Sequence, residues 1–258
     1  MNKWSALVSG AIAGLAIAGM SSSAARADGS DEARYASSPA LAYNWSGIYF
    51  GGNAGWMRTK DIGGGFVFPA ATGNSFIVPG ESRTAYGGQM GFQHQFSNLV
   101  VGVEGGFKET LGGFASTPGL GNAPPIGCNA ATVFTCEARL KHIEQIGGRL
   151  GWASNNWLFY GTGGWALADI ATQARTIATG VALAQDEKHH HGNFFGGGIE
   201  WAAHKNIILG VEYTHYSFSS QIHDIGGNSR FVSTDADTVT ARLSVKFGPE
   251  PVVYQPLK

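Results

Sequence analysis

The sequence predicts an all-β fold, namely an eight-stranded antiparallel transmembrane up-and-down β-barrel that follows an N-terminal signal peptide. The 258 residues include 39 Gly and 12% aromatic residues, but only 14% charged residues. Segments of about ten residues alternate apolar and polar side chains, as the strands of membrane barrels do. The connections between these segments are alternately long and short. Together the three observations favour a barrel whose outer face meets lipid.

The composition excludes other classes. Typical globular domains carry about 25% charged residues. Disordered chains are polar and poor in aromatic residues, and Gly costs about 1 kcal/mol at a helical position relative to Ala. The formal net charge is −1, and it becomes −3 without Lys3 and Arg26, the only charged residues before residue 28. This balance predicts no nucleic-acid partner.

The N-terminus has the pattern of a secretory signal peptide. Lys3 precedes a short apolar run at 7–20, and Ala25-Arg26-Ala27 gives a cleavage pattern of small residues. An uncleaved membrane helix is the alternative, but a span needs about 20 predominantly apolar residues. We therefore predict a cleaved signal peptide at 1–27 and a periplasmic lead-in at 28–43.

Alternation locates the strands between 44 and 247. The fourth is interrupted at Glu144, which predicts a bulge or a register change there. The fifth has apolar residues on both faces, so its orientation stays open. The eight strands are expected at about 48–57, 83–96, 99–108, 139–152, 157–169, 193–203, from 207 onward, and 238–247.

The connections support this topology. Short turns are expected at 97–98, 154–156 and 204–206. Long and short connections alternate strictly, and the first and last connections are long. The long ones cover about 58–82, 109–136, 170–192 and 219–237. Membrane barrels have long outer loops and short periplasmic turns. A soluble β-sandwich is the alternative, but it gives less reason for placing every long loop at one end. Residues 248–258 would form a periplasmic tail.

Several motifs resemble one family in the expected order. The first strand contains NWSGIYFGGNAGW at 44–56. GGRLGW at 147–152 and LFYGTGG at 158–164 resemble a central hairpin, and GGGIEW at 196–201 and LGVEY at 209–213 resemble a later one. The family is that of small outer-membrane immunogenic, opacity-antigen-like barrels of alphaproteobacteria. The resemblance implies an outer-membrane location, a porin-like label and surface exposure, with lipid and lipopolysaccharide as surroundings.

The last strand carries the expected insertion signal. Barrels of this kind often end on an aromatic residue, which the barrel-insertion machinery is thought to recognise. Phe247 takes that place here, preceded by Leu243 and Val245 on the same face. The eleven residues that follow it depart from the usual pattern and put simple recognition of the chain end in doubt.

Seven charged side chains are predicted to face the lumen. An eight-stranded barrel has an interior just wide enough to be filled by side chains, and an isolated buried charge costs several kcal/mol. A packed network that plugs the lumen is therefore the favoured interpretation, and a narrow gated pore is the alternative. The residues are Glu104, Lys108, Arg149, Glu200, Glu212, Arg242 and Lys246.

Two further features lie in long connections. Cys128 and Cys136 are the only cysteines, and an even count in an exported chain predicts a disulfide rather than free thiols or a metal site. His189 and His191 share one face of a strand and could bind a transition metal or a haem edge. The alternative is a solvated polar strand end.

His215 and Ser217 resemble the His-x-Ser pair of outer-membrane lipid A deacylases. A Ser nucleophile needs a base, an orienting acid and oxyanion donors. Here Phe218 follows Ser217 where that family has Asn, Ser229 stands near the place of the acid, and Asp224 is the nearest acid downstream. The expected function is therefore a structural, surface-exposed barrel without a cofactor, and a porin, a haem-binding protein and a hydrolase remain alternatives.

Overall fold

The structure is a computed structural model, and it describes residues 43–60, 62–64, 76–78, 80–116, 134–224 and 229–249. The predicted signal peptide and the lead-in up to residue 42 lie outside the described residues, as does the tail from residue 250. Cys128 and the side chain of Cys136 lie outside them too. No helix in the described part of the chain is long and apolar enough to cross a membrane.

The described residues form thirteen strands. Eight of them make the barrel wall, and the others are short pieces in the long connections. In chain order the strands are β1 Gly47–Thr59, β2 Ile62–Gly64, β3 Phe76–Val78, β4 Ser82–Phe96, β5 Leu99–Thr110, β6 Ala115–Ser116, β7 Phe134–Ser154, β8 Trp157–Thr176, β9 Ala182–Ala202, β10 Ile207–Phe218, β11 Gln221–Asp224, β12 Ser229–Val232 and β13 Asp235–Phe247.

The wall is closed and antiparallel throughout. Its order is β5-β4-β1-β13-β10-β9-β8-β7, and β7 pairs back with β5. The first and last strands meet in a regular ladder from Ile48 opposite Phe247 to Thr59 opposite Ala236. This confirms the predicted eight-stranded barrel. Because closure leaves no free strand edge, every wall strand is paired on both sides.

The two faces of the wall alternate with period two. In β13, Leu243 is 53% exposed on the outer face while Ser244 is 2% exposed inside. β8 resolves the open orientation: Trp157 and Trp165 face outward, whereas Leu158 and Tyr160 face the lumen. A continuous apolar outer surface of this extent is typical of a protein in contact with lipid rather than water.

The wall strands are longer than alternation indicated. The predicted connection at 170–192 is mostly strand, because β8 and β9 continue as a paired hairpin up to the turn at 177–181. The irregularity in β7 lies between Leu140 and His142, and Glu144 pairs regularly with Leu167. The irregularity therefore lies a few residues before Glu144, the position at which the sequence predicted a bulge or a register change.

Short turns close the opposite end of the barrel. Ser97 and Asn155 each begin a two-residue turn with a positive φ, 56° and 52°. Asn adopts this left-handed conformation more readily than most residues. We call this the turn end of the barrel, and the end that carries the long connections the loop end.

Candidate functional site

The interior of the barrel is the candidate site. All seven charged residues predicted to face the lumen lie inside, and each is between 1% and 4% exposed. They do not form a single network. Five of them, Glu104, Arg149, Glu200, Glu212 and Arg242, form what we call the central cluster, while Lys108 lies at its edge and Lys246 lies apart from it.

Arg242 is the hub of the central cluster. Its Nη1 donates to Glu104 Oε1 at 3.0 Å and also contacts Glu212, and its Nη2 donates to Glu104 Oε2. Its Nε lies 3.6 Å from Glu200 Oε1. Arg149 completes the cluster at 2.5 Å from Glu200 and 3.5 Å from Glu104. Each buried charge therefore has an opposite charge beside it, as a low-dielectric interior requires.

Two tyrosines hold the carboxylates, and sequence reasoning missed both. Tyr49 donates to Glu104 at 2.6 Å, and Tyr160 donates to Glu212 at 2.8 Å. The Arg149 guanidinium lies 3.6 Å from the ring centre of Tyr160, in cation–π geometry. The sequence signal for each tyrosine was an aromatic residue on the inward face of a Gly-rich strand. Alternation of apolar and polar residues does not show that such a residue carries a hydrogen-bonding hydroxyl group.

Glycines make room for these rings. Gly91 is the register partner of Tyr49, and Gly198 is the partner of Tyr160. A Cβ on Gly91 would lie 2.4 Å from the Tyr49 hydroxyl oxygen, and one on Gly198 would lie 2.7 Å from that of Tyr160. Each ring therefore lies flat over a glycine of the neighbouring strand.

The two lysines have separate surroundings. Lys108 donates to the Tyr216 hydroxyl at 2.8 Å and lies 3.9 Å from Glu212, so it adds a third cation beside three carboxylates. Lys246 lies at the turn end, where it donates to the backbone carbonyls of Asn44 at 2.7 Å and Ser46 at 3.1 Å. The sequence predicted one network of seven charged side chains, whereas in the structure Lys246 lies outside the network that the other six form.

Apolar layers lie above and below the charged centre. At the turn end, Trp45 is fully buried, and Tyr43 packs edge-on against it with ring centres 4.9 Å apart. At the loop end, Met57, Phe194, Tyr216 and Phe218 belong to a second buried cluster. The sequence analysis predicted neither layer, because a periodic pattern does not show which inward-facing side chains pack together.

Two histidines cover the loop end. His190 Nε2 and His223 Nε2 lie 2.9 Å apart, and both rings are fully buried. His190 Nδ1 faces the carbonyl oxygen of Ser219 at 3.0 Å, so it donates there, and His223 supplies the proton between the two rings. Burial, reinforced by His190, lowers the pKa of His223 from 6.5 to about 4. Sequence reasoning singled out the flanking residues instead of His190.

The predicted metal or haem pair faces outward. His189 and His191 are both exposed on the outer face of β9, and His189 Nδ1 contacts Asp169 Oδ1 of β8. No group of three or more His, Cys, Asp or Glu side chains with the geometry of a metal site occurs among the residues that the structure describes.

The His-x-Ser pair also lies on the outer face. His215 Nδ1 lies 2.7 Å from Asp237 Oδ1, whereas Ser217 Oγ donates to Asp235 at 3.0 Å. The acid beside His215 is therefore its register partner on β13. Sequence proximity missed it because cross-strand pairing decides which side chains meet. The side chains of Asp224 and Ser229 lie outside the described residues.

The predicted insertion signal lies on the outer face as a row of exposed side chains. Leu243, Val245 and Phe247 are 53%, 41% and 58% exposed. The Phe247 ring meets Phe50 of β1 edge-on, with ring centres 6.3 Å apart. The end of the last strand is therefore joined to the first strand by a lipid-facing aromatic pair.

A closed sheet with an apolar outer face and a filled polar interior defines a membrane-spanning β-barrel. The chain belongs to the outer membrane protein beta-barrel domain family, which it matches over residues 13–247. It is 27% identical over 204 residues to a 22 kDa outer membrane protein of Rhizobium leguminosarum bv. viciae, covering 79% of each chain. It is 26% identical to a 31 kDa outer-membrane immunogenic protein of Brucella melitensis biotype 1, covering 81% of this chain and 86% of that one.

Solved barrels are similar at a lower level. The crystal structure of Neisserial surface protein A has a TM-score of 0.41 at 12% identity, covering 78% of this chain and 98% of that chain. That of the outer membrane protease OmpT from Escherichia coli has a TM-score of 0.43 at 9% identity, covering 82% and 100%. The family, the fold and the curated relatives place this protein in the outer membrane, as the sequence predicted.

Proposed function

We propose that the protein is a structural barrel with a closed lumen, which contributes to envelope integrity and presents its loop end to the outside. The observation that carries the proposal is the filled interior. Three carboxylates and three cations neutralise one another at its centre, between the apolar layers of Trp45 and Phe194. Ions would have to displace paired charges and cross both apolar layers.

Catalysis and open-pore transport are not part of the proposal. The two curated relatives named above, from Rhizobium and Brucella, carry no enzyme name. Ser217 donates to Asp235 and not to His215, so the nucleophile and the base of a hydrolase are not in contact. One relative is named an outer-membrane immunogenic protein, and this supports an exposed loop end.

Conductance of the refolded chain in a planar bilayer tests the closed lumen. We expect wild type to show no steady open level. As a comparison, a variant with Trp45→Ala, Phe194→Ala, Arg149→Ala and Arg242→Ala removes one large ring from each apolar layer and both guanidinium groups, and it should conduct if it inserts. A steady open level in wild type would overturn the closed lumen and favour a small porin.

The envelope role is tested by deleting the gene in the source bacterium. We expect greater sensitivity to detergents and to large apolar antibiotics, restored by wild type and by Arg58→Ala, which alters only an exposed side chain. Unchanged sensitivity in the deletion strain would contradict a contribution to envelope integrity.

A further inference from the structure

A cleft lies on the outer side of the wall at the loop end, where β7, β8 and β9 extend beyond the other wall strands. Its volume is about 350 Å³, and small-molecule sites usually measure about 300–1,000 Å³. We call it the loop-end cleft. Its lining includes Phe114, Arg139, Lys141, Ala171, Gln185 and Glu187.

The loop-end cleft lies just beyond the apolar band of the wall. On β8 the outward side chains are apolar or glycine from Trp157 to Leu167, and Asp169 and Ala171 follow on the same face. A strand needs about 9–11 residues to cross the hydrocarbon core, which is the length of the segment 157–167. The cleft around Ala171 is therefore at the level of the lipid headgroups and of the sugars that they carry.

Arg139 brings an unpaired cation to the cleft. Its Nη2 donates to the backbone carbonyl of Thr110 at 2.7 Å, which holds the guanidinium in place. Its Nε is buried without a hydrogen-bond partner, and no carboxylate of the described residues forms an ion pair with it. A partly buried charge without a counter-charge is unfavourable. An anion that entered the cleft would therefore supply the partner that the fold does not.

The other charges of the cleft balance one another. Lys141 Nζ donates to both carboxylate oxygens of Glu187, at 2.9 and 3.1 Å. Asp186 also lines the cleft, and its carboxylate lies 3.9 Å from Lys188 Nζ. With these pairs formed, the guanidinium of Arg139 gives the cleft a net positive charge.

The remaining lining residues suit a sugar ring. Gln185 Nε2 donates to Gln173 at 3.0 Å, so Gln185 Oε1 stays available to accept from a hydroxyl group. Ala171 separates Arg139 from Glu187 in the register and gives the cleft a shallow floor. The C–H groups of a sugar face pack well against an aromatic ring, which Phe114 supplies here. Donors, acceptors and an aromatic ring therefore line one cleft.

We propose that the loop-end cleft binds an anionic sugar unit of the cell surface. Arg139 holds the anionic group through charge-assisted hydrogen bonds, Lys141 and Gln185 bind hydroxyl groups, and Phe114 packs against the ring. Lys141 is the extra residue at the irregularity between Leu140 and His142, and bulges of this kind redirect side chains beside binding sites. The cell-surface source rests on the proposed outward orientation of the loop end, whereas the binding chemistry does not.

Saturation-transfer NMR measures binding of small sugars directly. The refolded protein is held in micelles of an amine oxide detergent, which carries neither a sugar nor a phosphate group, and is titrated with glucuronate, glucose or acetate. Glucuronate should bind at least about tenfold more tightly than glucose, since a hydrogen bond to a charged group contributes a factor of this size. Equal affinity for glucose would refute the anionic requirement. Equal affinity for acetate would show that a carboxylate alone is recognised and would refute the sugar.

Substitutions assign the binding to the cleft. Arg139→Gln should weaken glucuronate binding about tenfold or more, for the same reason. Arg175→Gln is the matched control, because Arg175 lies higher on the same face, pairs with Glu137 at 3.3 Å and does not line the cleft. If Arg139→Gln does not fold, Lys141→Gln and Phe114→Leu should each weaken binding several-fold. Unchanged binding in the folded variants, or equal loss in Arg175→Gln, would overturn the proposal.

Competition identifies the source of the sugar. In vesicles, displacement of glucuronate by lipopolysaccharide of the same membrane would assign the sugar to that glycolipid. Displacement by soluble alginate, a polymer of acidic sugars, but not by lipopolysaccharide would assign it to a secreted polysaccharide. Displacement by neither would overturn the proposal. These measurements require neither a closed lumen nor an envelope phenotype, so wild-type conductance would contradict the proposed function without affecting the sugar site.

Discussion

Arg242 of β13 and Glu104 of β5 form a bidentate ion pair across the lumen, although β1 and β4 lie between their strands in the wall. A planar guanidinium matches a carboxylate with two parallel hydrogen bonds, which adds direction to the attraction. The pair therefore braces two parts of the wall that share no backbone hydrogen bonds.

Removing Arg242 should strongly destabilise the barrel. Arg242→Ala leaves Glu104 and Glu212 without their main cation, and breaking a buried pair costs about 3–5 kcal/mol. We expect a lower midpoint of unfolding in urea for the refolded protein in detergent or lipid. Arg58→Ala, which removes an exposed guanidinium from β1, is the control and should differ little from wild type. Equal midpoints for Arg242→Ala and wild type would mean that water already solvates the central cluster.

A charge on the lipid face should oppose insertion. Leu243→Arg places a cation on the outer face of β13 between Gly52 and Leu209, at a cost of about 2–4 kcal/mol near the bilayer midplane. We expect a smaller folded fraction in vesicles, measured by heat-dependent electrophoretic mobility. Leu243→Met and the lumen-facing Ser244→Ala should fold nearly as wild type does. Normal insertion of Leu243→Arg would contradict the face assigned to this strand.

Gly198 should not tolerate a methyl group. Its Cβ would lie 2.5 Å from the carbonyl oxygen of Val211 and 2.7 Å from the Tyr160 hydroxyl oxygen. Gly198→Ala should therefore displace the ring and cost about 1–3 kcal/mol, as overpacking commonly does. Gly148→Ala is the matched control, since no atom lies within 4 Å of its added Cβ. The measurement is the free energy of unfolding of the two variants. Equal values would contradict the packing of the Tyr160 ring over Gly198.

Acid should destabilise the packing of His190 and His223 at the loop end of the barrel. The folded pKa of His223 is about 4 and its ordinary value is 6.5, so the opened form binds more protons between these values. The stability contributed by buried, neutral His223 is complete above about pH 6.5 and is lost as the pH falls toward 4.

Hydrogen exchange checks this prediction. Amide protection in β11 and β12, corrected for intrinsic rates, should decrease between pH 7 and pH 4.5. The decrease should be smaller in His223→Gln and unchanged in His204→Gln, a substitution in the turn at the other end. Protection that is independent of pH in wild type would show that His223 is not held neutral by burial.

The two ends of the barrel should differ in accessibility on whole cells. With Cys128 and Cys136 replaced by Ser, Ala178→Cys in the β8–β9 turn should react with an impermeant thiol reagent. Ala203→Cys, which is also an exposed position but lies at the turn end, should react only after the envelope is broken. Labelling of Ala203→Cys on intact cells would reverse the orientation.

The sequence predicted the wall better than the interior. Alternation identified each wall strand, and the outer face of most of them, because lipid requires apolar side chains there at every second position. It left the orientation of β8 open because Leu158 and Tyr160 fill the lumen beside equally apolar outer residues. Glu104 and Arg242 were recognised as inward, but their pairing was not, because contacts across a lumen leave no periodic pattern in the chain. The extended β8–β9 hairpin was missed because its polar residues do not alternate with apolar ones.

The seam between β1 and β13 has a consequence for how the chain folds. In every other pair of neighbouring wall strands, the two strands follow one another in chain order. The seam instead joins Ile48 to Phe247, from opposite ends of the wall-forming sequence. Bringing such distant residues together has a large loop-closure entropy cost, so contacts of this kind slow folding. Lys246 secures the junction by holding the carbonyls of Asn44 and Ser46, residues that precede the first strand. A chain that lacked β13 would therefore present unpaired edges at β1 and β10, and these edges would be open to association with other strands.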